Sequence, residues 1–122
     1  MSTVKVDTIK TTDNVEVYTC KAWVNFNGTG TVAIRASGNV TSITDLATGR
    51  YTITFTNALT DANYCVTSAC SPNGLNTMYS PLVFAGAPWA TAAPSTTAFS
   101  IVTNKNDTNV SDTSYITLAV FR

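Results

Sequence analysis

"KAWVNFNGTGTVAIRASGNV", residues 21–40, holds a Gly-x-Gly within Asn27-Gly28-Thr29-Gly30, and its flanks decide the fold. Upstream, Tyr18, Cys20, Ala22, Val24 and Phe26 occupy every second position; downstream, Val32, Ile34 and Ala36 do the same. Period two on both sides predicts two strands, with the glycines where the chain reverses. A phosphate-cradling loop needs a helix directly after its last glycine, so that N-terminal N–H groups face the anion. Thr31-Val32-Ala33-Ile34-Arg35 is β-branched, alternating and uncapped. The segment reads as a hairpin turn.

Outward from this hairpin the same punctuation continues, giving about eight strands with turn signals at the spacing of all-β domains. A long strand is expected over 15–26, then strands over 31–37 and 39–44, a turn at 45–49, and strands over 50–56 and 64–70. A short strand at 80–84 and two more over 97–103 and 115–121 complete the set. Tyr51, Ile53 and Phe55 alternate with Thr52 and Thr54, the clearest one-sided strand. The expected fold is an antiparallel β-sandwich over 15–122, preceded by an extended arm over 1–14. Its inner face is expected to include Val24, Phe26, Val32, Ile34, Tyr51, Ile53, Phe55, Tyr64, Val66, Ile116, Leu118 and Val120.

In the last strand Ile116, Leu118 and Val120 take one face while Tyr115 and Phe121 take the other; Trp23 likewise opposes the core face of the first strand. An isolated sandwich has a polar outward face. Apolar side chains on both faces point either to a second subunit or to a covering loop. Composition agrees with the former: only 11% of residues are charged, and the polar remainder is mostly Thr, Asn and Ser.

Seven basic and seven acidic residues leave no net charge, so no electrostatic footprint for nucleic acid or an acidic membrane is expected. No apolar stretch reaches the ~20 residues of a membrane helix. The opening Met1-Ser-Thr-Val-Lys-Val-Asp lacks a signal-peptide core, so synthesis in a cytoplasm is expected. Cys20, Cys65 and Cys70 are read as small, buried, unpaired thiols.

Enzyme readings fare badly. The chain has no His, which removes a Ser-His-Asp triad, a Cys-His pair and most zinc sites. Asp45, Asp61, Asp107 and Asp112 fall in expected turns, where aspartate orders loops in any case. Asp107 and Asp112 with Asn104, Asn106 and Asn109 leave open a calcium site, against the alternative of a solvated turn, although their spacing fits no known calcium loop. No cofactor is expected. The Asn-x-Ser/Thr triplets at Asn27, Asn39, Asn106 and Asn109 are what a chain rich in Thr and Asn produces by chance.

Binding remains. Long loops at one end of the scaffold place Asn73, Asn76, Tyr79, Trp89, Asn104, Asn106 and Asn109 as candidate ligand contacts, pairing amides with aromatic faces as sugar sites do. The alternative for Trp89 is a plug at the end of the core.

Residues 21–64 closely resemble the C-terminal domain of tail-fibre proteins of tailed bacteriophages, particularly marine and cyanobacterial phages. The pieces that carry this are Ala22-Trp-Val-Asn-Phe-Asn-Gly28, Ile34-Arg-Ala-Ser37, Tyr51-Thr-Ile-Thr-Phe55 and Asp61-Ala-Asn-Tyr64. The ending Val120-Phe121-Arg122 and the opening ten residues are similar more loosely. The resemblance implies a non-enzymatic homotrimeric fibre tip in the virion, made in the host bacterial cytoplasm. Its implied partners are other tail and baseplate proteins, through the arm at 1–14, and a host cell-surface glycan. The alternative is a purely structural virion component, such as a head decoration or collar fibre. The turn Asp45-Leu46-Ala47-Thr48-Gly49 is less polar than in that family, so Leu46 is expected to be packed. Fibres of this type carry a long shaft, which is expected here to belong to a different protein.

Overall fold

A computed structural model of the chain describes residues 2–71, 82–83, 93–106 and 109–122, the backbone alone at 82–83, 104–106 and 109. Among the described residues ten strands follow one another: β1 (Cys20–Asn27), β2 (Ala33–Gly38), β3 (Val40–Ala47), β4 (Arg50–Phe55), β5 (Cys65–Ser71), β6 (Leu82–Val83), β7 (Ala98–Val102), β8 (Asn104–Asn106), β9 (Asn109–Val110) and β10 (Tyr115–Phe121). No helix occurs among the described residues. One sheet has the order β2-β1-β10-β5 and the other β3-β4-β7-β6, while β8 and β9 form a small hairpin. All pairings are antiparallel.

The two sheets face each other as a sandwich over one apolar core. Phe26 on β1 meets Tyr51 on β4 edge to face, ring centroids 5.4 Å apart. Phe55, Phe99 and Tyr64 form a second aromatic group at 5.6–6.0 Å. All but the tilted Phe55–Phe99 pair are edge to face, a geometry that places the positive ring edge on the negative face. Val24, Ile53, Ile101, Ile116, Leu118 and Val120 fill the space between them. Tyr64, just ahead of β5, reaches the Ser95 and Ala98 carbonyls at 3.1 and 3.3 Å and ties that loop to β7.

Residues 28–32 reverse the chain between β1 and β2, as the period-two flanks require. Asn27 Oδ1 accepts from Thr29 N at 3.0 Å and from the Thr29 hydroxyl at 2.7 Å. Gly30 takes φ of 60°, which a side chain disfavours. Gly28 has a different reason to be glycine: a Cβ there would strike the Tyr51 hydroxyl and sit 2.9 Å from Ile116 Cδ1.

Several expectations are corrected. The first strand begins at Cys20, not Val15, because residues 9–17 fold into a separate ribbon. Ile34 is not core: it sits on edge strand β2 and is 37% exposed, while Val32 and Val66 are only partly buried against the core. Residues 45–47 belong to β3, so the turn shrinks to Thr48-Gly49, and Leu46 is 48% exposed rather than packed. Of the cysteines only Cys70 is buried; Cys20 and Cys65 are exposed, and none of the three forms a disulfide. Cys65 and Cys70 lie five positions apart on one strand and so leave opposite faces.

Candidate interaction surface

On the sheet β2-β1-β10-β5, the side chains that alternate with the core residues form an outer face. Its rows are set by register: Gly38, Trp23, Ala119 and Thr67 form one, and Ala36, Asn25, Thr117 and Ala69 the next. Phe121, flanked by Cys20 and Cys65, closes one end of this face, and Tyr115 lies at the other. Trp23 and Tyr115 are 45% and 47% exposed. None of the four strands carries a carboxylate.

Each aromatic is held in place. The Trp23 indole lies across Gly38, where an added Cβ would come within 2.8 Å of Trp23 Cδ1, so glycine makes room for the ring. Arg35 braces Tyr115: its guanidinium carbon is 4.3 Å from the ring centroid. The same guanidinium donates to the Ser114 carbonyl at 2.6 Å and to Asn25 Oδ1 at 3.3 Å. A register shift puts Arg35 between Ile34, opposite Phe26, and Ala36, opposite Asn25. Such a bulge re-aims a side chain that strict alternation would send elsewhere. Between the aromatics lies a shallow depression of about 280 Å³, lined by Thr67, Ser68, Ala69, Thr117, Leu118 and Ala119. Its floor is small and hydroxyl-bearing.

At the β1–β2 end of the sandwich a hydrogen-bond network joins distant loops. Asp112 Oδ1 accepts from Gly49 N at 2.7 Å and from the Tyr51 hydroxyl at 2.8 Å. Thr103 Oγ1 donates to the Ser111 carbonyl at 2.6 Å, and Gly28 N to the Thr113 carbonyl at 2.9 Å. Burial first, then the adjacent Asp112 carboxylate, push the Tyr51 phenol above its ordinary value. Burial also pushes the Cys70 thiol up, with the Thr113 hydroxyl acting against it. Asp112 therefore ties the segment after β9 to the β3–β4 turn and to β4, while the Thr103–Ser111 bonds close the base of the β8–β9 hairpin. No group of three or more His, Cys, Asp or Glu suited to a metal forms among the described residues.

Two of the Asn-x-Ser/Thr triplets have structural uses. Asn27 caps the hairpin turn, as above. Asn39, with φ of 56°, donates to the Lys21 and Asn57 carbonyls at 3.0 and 3.2 Å and accepts from Asn57 N at 2.8 Å. That clasp joins the β2–β3 corner to the chain after β4.

Among the candidate ligand contacts, Asn73, Asn76, Tyr79 and Trp89 lie outside the described residues. The backbone pairing of β8 with β9 brings Asn104, Asn106 and Asn109 together on one hairpin. The sequence marks Trp23, Tyr115 and Phe121 as outward aromatics. It does not mark Arg35 or Gly38, whose roles depend on a bulge and a cross-strand contact.

Comparison with protein-family models, with curated proteins and with solved structures finds no match to this chain.

Proposed function

We propose that this chain is a non-enzymatic virion protein of a tailed bacteriophage, a homotrimeric tail-fibre or baseplate-tip adhesin that binds host-surface carbohydrate. The observation that carries the self-associating part is the outer sheet face: ordered, exposed Trp23 and Tyr115 flank a small-residue floor on four strands without a carboxylate. Subunit contacts favour aromatic residues and deplete acidic ones in this way. The fibre-tip resemblance over residues 21–64 supports the virion assignment, since its segments form β1 to β4 and the approach to β5.

Receptor contact falls to the segments without that resemblance, with Asn73, Asn76, Tyr79 and Trp89 joined by Asn104, Asn106 and Asn109. Shallow sugar sites bind weakly one at a time, and multivalency raises their avidity by about 10²–10⁴. Light scattering tests the assembly, with three times the 12.9 kDa chain mass expected. Adsorption tests the receptor: purified protein should bind host cells and block infection. A trimer that binds no host cell would instead be a structural virion component.

A further inference from the structure

Residues 9–17 form a two-stranded ribbon that projects ahead of the sandwich. Val17 N donates to the Ile9 carbonyl and Thr11 N to the Val15 carbonyl, both at 2.8 Å, and Lys10 pairs with Glu16. The turn closes through Asn14 N to the Thr11 carbonyl at 3.0 Å, with Asn14 at φ 65°. A tight turn followed by a left-handed residue is the usual three-residue hairpin connection.

This pairing sorts the side chains. Because successive residues alternate, Ile9, Val15 and Val17 share one face with Thr11. Thr8, Lys10, Glu16 and Tyr18 take the other. The ribbon is amphipathic, and its apolar face is open: Ile9, Val15 and Val17 are 49%, 59% and 41% exposed. Every residue from 2 to 21 is exposed, so its own sandwich does not cover it. A lone two-stranded hairpin is marginal in water without a hydrophobic partner.

Among the described residues, the outer face of β2-β1-β10-β5 also leaves large apolar side chains open, with Trp23 and Tyr115 exposed over a floor of small residues. We propose that the apolar face of the ribbon seats on that outer face of a second copy of this chain. The inference rests on the self-association part of the preceding reading and names the surfaces involved. Charge does not oppose this seating: Lys10 and Glu16 lie on the ribbon's opposite side, and the four strands carry Lys21 and Arg35, the latter braced against Tyr115, with no carboxylate. Stoichiometry agrees, since each copy offers one ribbon and one face, and neither covers the other at home. Head-to-tail seating satisfies both, and a rotation that closes leaves no ribbon over.

The test uses the full chain and three variants. Ile9→Lys with Val17→Lys charges the apolar ribbon face at exposed positions. Thr117→Lys charges the outer sheet face at an exposed position. Thr8→Lys with Tyr18→Lys charges the ribbon's other face as a control. Light scattering at micromolar concentration should show the wild type and the control as oligomers. The ribbon and face variants should each run as the 12.9 kDa monomer, with melting temperatures confirming that they fold. Mixed together, those two should form a 1:1 complex and stop there, because one supplies an intact ribbon and the other an intact face. A monomeric wild type would overturn this proposal and the self-association reading together. An oligomer that survives the ribbon variant, or a mixture that yields no complex, would overturn the ribbon docking alone.

Discussion

The Tyr51 hydroxyl meets Asp112 Oδ1 at 2.8 Å, joining β4 to the segment before β10 across 61 residues of chain. The Tyr51 hydroxyl oxygen also lies 2.9 Å from the Gly28 carbonyl, so its single hydrogen is shared between acceptors in two loops at one end of the sandwich. Removing it leaves a partly buried carboxylate short of a donor. Tyr51→Phe should cost about 1–3 kcal/mol in urea denaturation. Paired with Asp112→Ala in a double-mutant cycle, it should show a coupling of about 0.5–3 kcal/mol. Additive losses would mean that the contact contributes nothing of its own.

An alkaline limit follows from the same residue. Tyr51 is held protonated in the folded chain by burial and by the carboxylate, so its pKa is raised on folding. That stability is complete below the ordinary tyrosine pKa of about 10 and is lost as the pH rises beyond it. Tyr51→Phe should therefore flatten the fall in stability above about pH 10. An unchanged alkaline profile in the variant would contradict this.

Three glycines should respond differently to Ala. Gly30, at φ 60° with nothing within 4 Å of a built Cβ, should lose only about 1–2 kcal/mol from backbone strain. Gly49, at φ 64°, adds contacts of 2.8 Å with Ser111 N and 2.9 Å with the Thr103 carbonyl, which are backbone and cannot swing away. Gly28→Ala should cost about 1–3 kcal/mol through displacement of Tyr51 and Ile116. Denaturation curves that rank Gly30 as the most damaging site would refute the ordering.

Phe26 and Ile34 sit opposite each other in register, yet they should differ several-fold in cost. Phe26 is fully buried, and Phe26→Ala should lose about 3–5 kcal/mol. Ile34 is on an edge strand and open to solvent, and Ile34→Ala should lose under about 1 kcal/mol in an isolated chain. Equal losses would place Ile34 back in the core.

Asp61 sets an acid-side dependence. Two bonds from Arg122, at 2.8 and 2.7 Å, with a further one from Asn63 N, lower its pKa to about 2. A pKa lowered on folding gives stability that is present above the unfolded value of about 4 and lost as the pH falls toward the folded one. The difference in melting temperature between wild type and Asp61→Asn should shrink below about pH 4. Screening by solvent keeps the effect small at this exposed pair. A difference that stays constant from pH 7 down to 2 would contradict the assignment.

Alternation alone was enough to read the hairpin at Asn27–Gly30, the buried faces of β4 and β10, and the outward aromatics Trp23 and Tyr115. Each is a local property, because a strand buried on one side must repeat every two residues wherever it lies. Ile34 defeats the same reading, and Leu46 and Cys65 defeat other local ones. Ile34 has the pattern of a packed residue but lies on edge strand β2. Leu46, expected packed from its apolar place in a turn, lies open on edge strand β3, and Cys65, read as a buried thiol, points outward. Neither edge position nor facing is encoded within a strand. Arg35 owes its place over Tyr115 to a bulge, and Asp112 owes its role to a tyrosine 61 residues away. Period two fixes which residues of a strand share a face; only the pairing of distant strands decides what that face meets.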